Sequence, residues 1–134
     1  MAYAKPIPAI SDEMRPFYAG AKRHELWVPR CTGCGALRFP ARALCSECLA
    51  TTADWVRVSG RGAIFSFNVM HQVYHPGFAA EVPYAVVVVR LVEGPKLLSN
   101  LVGVAPGAIR IGQPVRVVFE DVSDEVTLPK FALA

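Results

Sequence analysis

The sequence has few of the residues that most often carry out catalysis. It contains three histidines and four cysteines among 134 residues. Ser59 and Ser66 do not lie in the Gly-x-Ser-x-Gly setting of a serine hydrolase, and no glycine-rich phosphate loop leads into a helix. The acidic pairs at 120–121 and 124–125 are typical of solvent-exposed residues at the end of a strand. We therefore predict that the chain carries no catalytic residue of its own.

Long hydrophobic runs are also missing. The longest apolar run, residues 84–89, is far shorter than the roughly 20 residues that a membrane-spanning helix needs. The first ten residues hold two prolines and no apolar core of the kind found in a secretory signal. These features predict a soluble, cytoplasmic protein that makes no membrane contact.

Charge of either sign is scarce, because charged residues make up 19% of the chain and the formal net charge is +3. If four cysteine thiolates held one zinc dication, that centre would carry 2 − 4 = −2, and the loaded chain would be near 3 − 2 = +1. A chain so close to neutral is a poor candidate for binding nucleic acid through counterion release. The hydrophobic fraction of 53% is ample for a core.

The cysteines are the most specific feature of the sequence. They form two C-x-x-C pairs separated by ten residues: Cys31, Cys34, Cys45 and Cys48. Each pair can hold one metal ion from a tight turn, and two turns complete a closed tetrahedral site, which is structural because no coordination position is left open. Zn²⁺ fits best, iron is accepted by the same sulfurs, and two disulfides would require an oxidising compartment. Gly33 and Gly35 suit the close, strained backbone of such turns.

Three segments follow from the pattern: an arm and helix at 1–26, a zinc ribbon at 27–53 and a barrel at 54–134. The helix begins at Ser11, or nearer Arg15 with Pro16 in its first turn. Its apolar residues follow i, i+3, i+4, i+7 spacing: Met14, Phe17, Tyr18 and Ala21. This apolar stripe either packs on the rest of the chain or contacts a partner protein.

The second half of the chain has the pattern of strands separated by glycine and proline turns. We predict five strands, at 55–59, 63–74, 83–92, 96–103 and 115–122, and a bend or bulge at 60–62. Five strands with glycine bends and no long helix predict a small OB-fold barrel, so the fold class is mainly β. The valine run 86–89 is apolar on both strand faces. One face fills the barrel, and the other needs a cover, either the N-terminal helix or another protein.

Ten short stretches along the chain match one family: 30–35 (RCTGCG), 39–40 (FP), 45–48 (CSEC), 59–62 (SGRG), 75–78 (HPGF), 83–84 (PY), 93–94 (EG), 111–112 (IG), 114–115 (PV) and 129–131 (PKF). With these stretches the whole chain resembles the DUF35 family, in which a helical N-terminus precedes a rubredoxin-like zinc ribbon and an OB-fold. The resemblance implies a non-catalytic accessory subunit of a thiolase-like enzyme, in a heterotetramer or larger complex. Its partner would carry out acyl transfer, condensation or retro-aldol cleavage on an acyl-CoA that this chain helps to bind.

Residues for ligand contact are few. His71, His75 and Phe78 surround a Pro-Gly turn and are our candidates for a lip that contacts acyl-CoA or the partner; loop packing is the alternative. An OB-fold can instead bind single-stranded nucleic acid on stacked aromatics. Phe65 and Phe67 would share a strand face, either for this purpose or, as is more common, as part of the barrel core. A rubredoxin-type iron redox protein is the third possibility that the four sulfurs permit.

Overall fold

The computed structural model describes residues 3–134, which form one short helix and two β-sheets. The elements in chain order are helix α1 (Arg15–Lys22) and strands β1 (Leu26–Cys31), β2 (Ala53–Val58), β3 (Arg61–Met70), β4 (Tyr84–Leu91), β5 (Lys96–Leu101), β6 (Pro114–Asp121) and β7 (Thr127–Leu133). The predicted fold class, mainly β with a short helix, a four-cysteine cluster and a closed five-stranded barrel, is confirmed. Within residues 3–134, no helix has the length and apolar character needed to cross a membrane.

The barrel contains five strands in the order β3-β4-β5-β7-β6. Our strand assignment was right in number and wrong in membership. The segment predicted as the first barrel strand is β2, which pairs with β1 in a separate two-stranded sheet, with Trp55 opposite Pro29. The fifth barrel strand is β7, which pairs with β6 along its length and with β5 at Leu101 and Phe131. The five predicted strands end at residue 122 and leave this segment out.

The turn between β2 and β3 leads the chain from the two-stranded sheet of β1 and β2 (the ribbon sheet) into the barrel. Gly60 has φ 80°, a conformation that glycine adopts without strain, and the backbone N–H of Val117 on β6 donates to its carbonyl at 2.8 Å. The bend predicted here is therefore present. The bulge lies a few residues further on, because the pairing of β3 with β4 shifts between Ile64 and Ser66 and leaves Phe65 as the extra residue.

Helix α1 packs on the rest of the chain. It begins at Arg15 with Pro16 in its first turn, and Phe17 and Ala21 are buried. The helix lies chiefly against β1 and β7. Gly20 allows this approach, since a Cβ at this position would clash with the ring of Trp27. The helix therefore covers β1 and β7 rather than the outward side of the valine strand β4, where Val86 and Val88 are half-buried.

The helix ends in a Schellman motif. The N–H of Glu25 donates to the carbonyl of Gly20 at 2.9 Å, and the N–H of His24 donates to that of Ala21 at 2.8 Å. His24 occupies the left-handed position with φ 60°, where glycine is usual. Its ring stacks on Phe119 of β6, with centroids 5.1 Å apart, and its Nε2 lies 3.1 Å from the Asp121 carboxylate. These contacts tie the helix end to the barrel and give this histidine a structural role.

One core joins the helix, the ribbon sheet and the barrel. Residues Leu26 and Val58 of the ribbon sheet belong to the same buried cluster as Val87, Val89 and Phe131 of the barrel. Strand β4 alternates strictly, with Ala85, Val87, Val89 and Leu91 buried and the residues between them less so. The ribbon loop, residues 32–52 between β1 and β2, adds only the partly buried Leu37 and Phe39 to this core.

Candidate metal centre and ligand-binding residues

Two similar backbone turns hold the four cysteines. In the first, the N–H of Gly35 donates to the carbonyl of Cys31 at 2.9 Å; in the second, the N–H of Leu49 donates to that of Cys45 at 3.0 Å. The residue after the last cysteine of each pair has a left-handed conformation, with φ 79° at Gly35 and 65° at Leu49. This repeat explains the glycine at the first turn. Gly33 has a different reason, because a Cβ there would lie 3.3 Å from the sulfur of Cys48.

The four sulfurs converge on one point. All Sγ atoms lie within 4.8 Å of one another, with Cys31 to Cys48 at 3.5 Å and Cys34 to Cys45 at 3.6 Å. Four sulfurs about 2.3 Å from a central zinc ion would be about 3.8 Å apart in a tetrahedron. The arrangement therefore fits one tetrahedral ion. The separations exceed by far the roughly 2.05 Å of a disulfide bond, so the disulfide alternative does not describe this structure.

The electrostatics of the cluster also call for a cation. The backbone N–H of Cys34 lowers the pKa of Cys31 to about 6, and that of Cys48 lowers the pKa of Cys45. The N–H of Ala36 lowers the pKa of Cys34, but hydrogen bonding to Cys45 and desolvation outweigh it and raise this pKa to about 12. Four adjacent sulfurs thus cannot all ionise by themselves. A dication removes this conflict, because it stabilises every thiolate that coordinates it.

His75 and Phe78 are close together, whereas His71 is separate. The Nδ1 of His75 accepts a hydrogen bond from the N–H of Gly77 at 3.0 Å, which leaves Nε2–H as the free donor of a neutral ring. The ring of Phe78 lies edge-on to His75 at 6.4 Å and stacks on Tyr84 at 5.2 Å. His71 is exposed, and its side chain makes no hydrogen bond within residues 3–134. These contacts hold His75 and Phe78 within their own loop, and the Nε2–H of His75 remains free to donate.

The N-terminal arm packs on this same loop, which the sequence did not indicate. Lys5 lies 5.3 Å from the ring centre of Phe78 and forms an ion pair with Glu81 at 2.8 Å. A Cβ at Gly77 would meet the backbone of Ala4. Three surface cavities have volumes of about 580, 370 and 450 Å³, and His71, His75 and Phe78 line none of the three. A ligand contact by these residues would therefore be made on an open surface.

The aromatic pair expected for nucleic-acid stacking is not formed. Since Phe65 is the bulge residue, the alternation is broken, and Phe65 points outward while Phe67 packs against the core. Two cations also lie over the exposed ring of Phe65, with Lys96 Nζ at 3.9 Å and the Arg90 guanidinium at 4.7 Å from its centre. The prediction that Phe65 and Phe67 share a face was wrong. The two cations above Phe65 were not predicted, because they depend on the bulge.

Both halves of the chain match one family. Residues 19–53 match the rubredoxin-like zinc ribbon domain of ChsH2, and residues 55–120 match the C-terminal OB-fold domain of ChsH2. A solved structure described as "Ltp2-ChsH2(DUF35) aldolase" contains a chain that is 38% identical and superposes with a TM-score of 0.85, covering 95% of this chain and 98% of that chain. The protein is thus a zinc-ribbon and OB-fold protein. It belongs to the DUF35 family, as its resemblance predicted.

Two curated relatives are named as subunits of CoA-thioester enzymes. The probable enoyl-CoA hydratase alpha subunit of Thermomonospora curvata is 39% identical over 95% of this chain, which spans 39% of that protein's length. The benzoylsuccinyl-CoA thiolase subunit BbsA of Thauera aromatica is 31% identical over 88% of this chain and 74% of its own. The chain thus spans about two fifths of the hydratase subunit and most of the thiolase subunit. Its relatives and its structural neighbour support an accessory-subunit role.

Proposed function

We propose that this protein is a non-catalytic subunit that binds a thiolase-like enzyme and helps to position an acyl-CoA. The match along 98% of the DUF35 chain of an aldolase supports this role most directly. Few of the described residues are also available to take part in catalysis. All four cysteines are grouped in the ribbon, His24 holds the helix end, and His75 Nδ1 is hydrogen-bonded within its own loop.

The ribbon is proposed to hold a structural zinc ion. Cys31, Cys34, Cys45 and Cys48 would each donate a thiolate, and the ion would supply the charge that lets four adjacent sulfurs ionise. With four protein ligands the site has no position for water, so this chain's metal would shape the ribbon and take no part in a reaction. Metal analysis distinguishes zinc from the iron alternative, since a four-sulfur iron centre is coloured and a zinc centre is not.

The lip formed by His71, His75 and Phe78 is proposed to contact the acyl-CoA or the enzyme partner. His75 can donate from Nε2, since its Nδ1 accepts from Gly77. Phe78 offers an apolar ring whose orientation is fixed by Tyr84. Nucleic-acid binding has less support, because the inward direction of Phe67 and the cations over Phe65 leave no paired stacking platform.

Co-expression with a thiolase-like enzyme of the same organism tests the proposal. We expect the two to co-elute in size exclusion and the partner's activity on its acyl-CoA to fall when this chain is omitted. Within that complex, His75→Ala should raise the KM for acyl-CoA without preventing co-elution. Separate elution together with unchanged partner activity would contradict the accessory role. A free chain that binds single-stranded DNA, with affinity falling steeply as salt rises, would favour the nucleic-acid alternative.

A further inference from the structure

A cavity of about 450 Å³ lies where the ribbon loop meets the barrel. The ribbon loop lines it with residues between 37 and 47, and the turn between β4 and β5 lines it with residues 94–96. We call it the junction cavity. Within residues 3–134, its charged lining consists of Arg38, Arg42, Lys96 and Glu47, so three cations stand against one carboxylate. The junction cavity is therefore a basic site, and the candidate lip residues lie outside it.

The cations of the junction cavity have no ionic partner in the described chain. The ion pairs formed within residues 3–134 involve other cations, and Glu47 takes part in none of them. Elsewhere a lysine of this chain is matched by a carboxylate, as Lys130 is by Glu120 and Lys5 is by Glu81. Cations that converge without a counter-charge repel one another. An anionic ligand in the cavity would remove this repulsion.

Arg38 carries a charge that is partly withdrawn from solvent. It is half-buried, whereas Arg42 and Lys96 are exposed. Its Nη2 donates to the backbone carbonyl of Arg42 at 3.0 Å, and its Nε and Nη1 are buried without a hydrogen-bond partner within residues 3–134. Because water screens a half-buried charge less than an exposed one, Arg38 should raise the positive potential of the cavity. Arg42 and Lys96 are the cations whose side chains can reach a ligand.

The rest of the junction cavity is largely apolar. Its apolar lining residues are Leu37, Phe39, Leu44 and Pro95. Leu37 and Phe39 pack against the common core, which fixes their positions, and Leu44 is 50% exposed. Sites for small molecules commonly combine an apolar lining with a few polar groups that fix the ligand. This lining therefore fits a ligand that has both an organic part and an anionic group.

We propose that the junction cavity binds a phosphorylated small organic molecule, with its phosphate held by Arg42 and Lys96 and its organic part against Leu44. The charged side chains of the cavity sum to 3 − 1 = +2. A phosphate monoester, which carries about −1.5 to −2 charges at pH 7, balances this sum, whereas a single carboxylate balances half of it. The phosphate can belong to a free nucleotide or to the nucleotide end of a CoA thioester. This inference goes beyond the accessory role and does not depend on it.

The two arginines have one competing role, which is to balance the negative charge of the proposed zinc centre. That role gives no reason for Lys96, which belongs to β5 of the barrel and lies over the exposed ring of Phe65, with Nζ 3.9 Å from the ring centre. It also gives no reason for the apolar wall of the cavity. If it were the whole role, Arg42→Ala would weaken zinc binding, and wild type would bind no phosphate.

Calorimetry on the zinc-loaded chain tests the junction cavity with matched ligands and variants. We expect AMP to bind and adenosine, which lacks the phosphate, to bind about tenfold more weakly. Lys96→Ala should weaken AMP binding about tenfold without loss of zinc, whereas the control Lys22→Ala on α1 should leave it unchanged. Glu47→Gln should tighten AMP binding, because it removes the carboxylate that lines the cavity.

A second pair of ligands distinguishes the sources of the phosphate. CoA carries a phosphate monoester that dephospho-CoA lacks. If CoA binds more tightly than both AMP and dephospho-CoA, the site takes the nucleotide end of CoA, and if AMP binds as tightly as CoA, it takes a free nucleotide. Either result supports the proposal.

Four results would overturn the proposal. They are no binding of AMP or CoA at low salt, equal binding of AMP and adenosine, unchanged AMP binding by folded, zinc-loaded Lys96→Ala, and inorganic phosphate that binds as tightly as AMP. The accessory role is tested separately, by co-elution with the enzyme partner. If AMP binds and co-elution fails, the accessory role is wrong and the phosphate site stands; if the reverse is found, only the phosphate site is wrong.

Discussion

The ribbon loop and the barrel are held together by different means. Between residues 31 and 52, the buried residues are Cys31 and Cys45, two of the proposed zinc ligands, while Leu37 and Phe39 are only partly buried against the common core. The barrel instead buries aliphatic and aromatic side chains in a continuous cluster that includes Ile64, Val87 and Phe131. A loop of this length cannot bury enough apolar surface to offset its loss of conformational freedom. We therefore expect metal coordination to hold the ribbon loop in place, as the hydrophobic core does for the barrel.

Removing one sulfur gives the largest expected effect. Cys45→Ser should abolish stoichiometric zinc and unfold residues 32–52, since structural zinc contributes on the order of 10 kcal/mol to comparable small sites. The helix, β1, β2 and barrel should remain folded, because Leu26 and Val58 belong to the barrel core. Elemental analysis and amide hydrogen exchange measure the two effects. The adjacent Ser46→Ala is the control. Retained zinc, or unfolding of the whole chain, would contradict the division between the two regions.

Truncating a core side chain of the barrel gives the second largest effect. It should destabilise the barrel rather than the ribbon loop. Phe131 is fully buried on β7, and Phe131→Ala should lower the free energy of unfolding by about 3–5 kcal/mol. Leu133→Ala, two residues further on the same strand and 36% exposed, should cost much less. Chemical denaturation monitored by tryptophan fluorescence measures both. If Phe131→Ala lost zinc before the barrel melted, the two regions would not be independently held.

The sequence predicted the features that are local in the chain. The two C-x-x-C turns, the helix near Arg15 and the five-stranded barrel all follow from spacing, capping and period-two alternation. Period-two alternation identifies a strand without identifying its partner, which is why β2 was placed in the barrel although it pairs with β1. Strand β7 was missed for a different reason. Pro129 and Lys130 interrupt its apolar pattern, and Lys130 is buried in an ion pair with Glu120 that only the fold brings together.

The features beside the candidate binding surfaces were the hardest to predict. The bulge at Phe65 lies outside the glycine segment 60–62 where a bend or bulge was predicted, so the outward direction of Phe65 and the cations above it were not predicted. The packing of Ala4 and Lys5 on the loop at Gly77 is likewise a contact between distant segments. The valine run was informative because it required a cover. Only the position of α1 settled that the helix does not supply it.

The smallest expected effect comes from substitutions that compare the two turns holding the cysteines. Gly35 and Leu49 occupy equivalent positions with left-handed backbones, and Leu49 is 71% exposed, so its side chain contributes little packing. A non-glycine residue in this conformation costs about 1–2 kcal/mol, and part of the gain from glycine is offset by a more flexible unfolded chain. Leu49→Gly should therefore tighten zinc binding by a few-fold, measured by competition with a chromophoric chelator. Gly35→Ala should loosen it similarly, since a Cβ there meets nothing within 4 Å and only the backbone is strained. If both variants bound zinc more tightly, or both bound it more weakly, the two turns would not be equivalent.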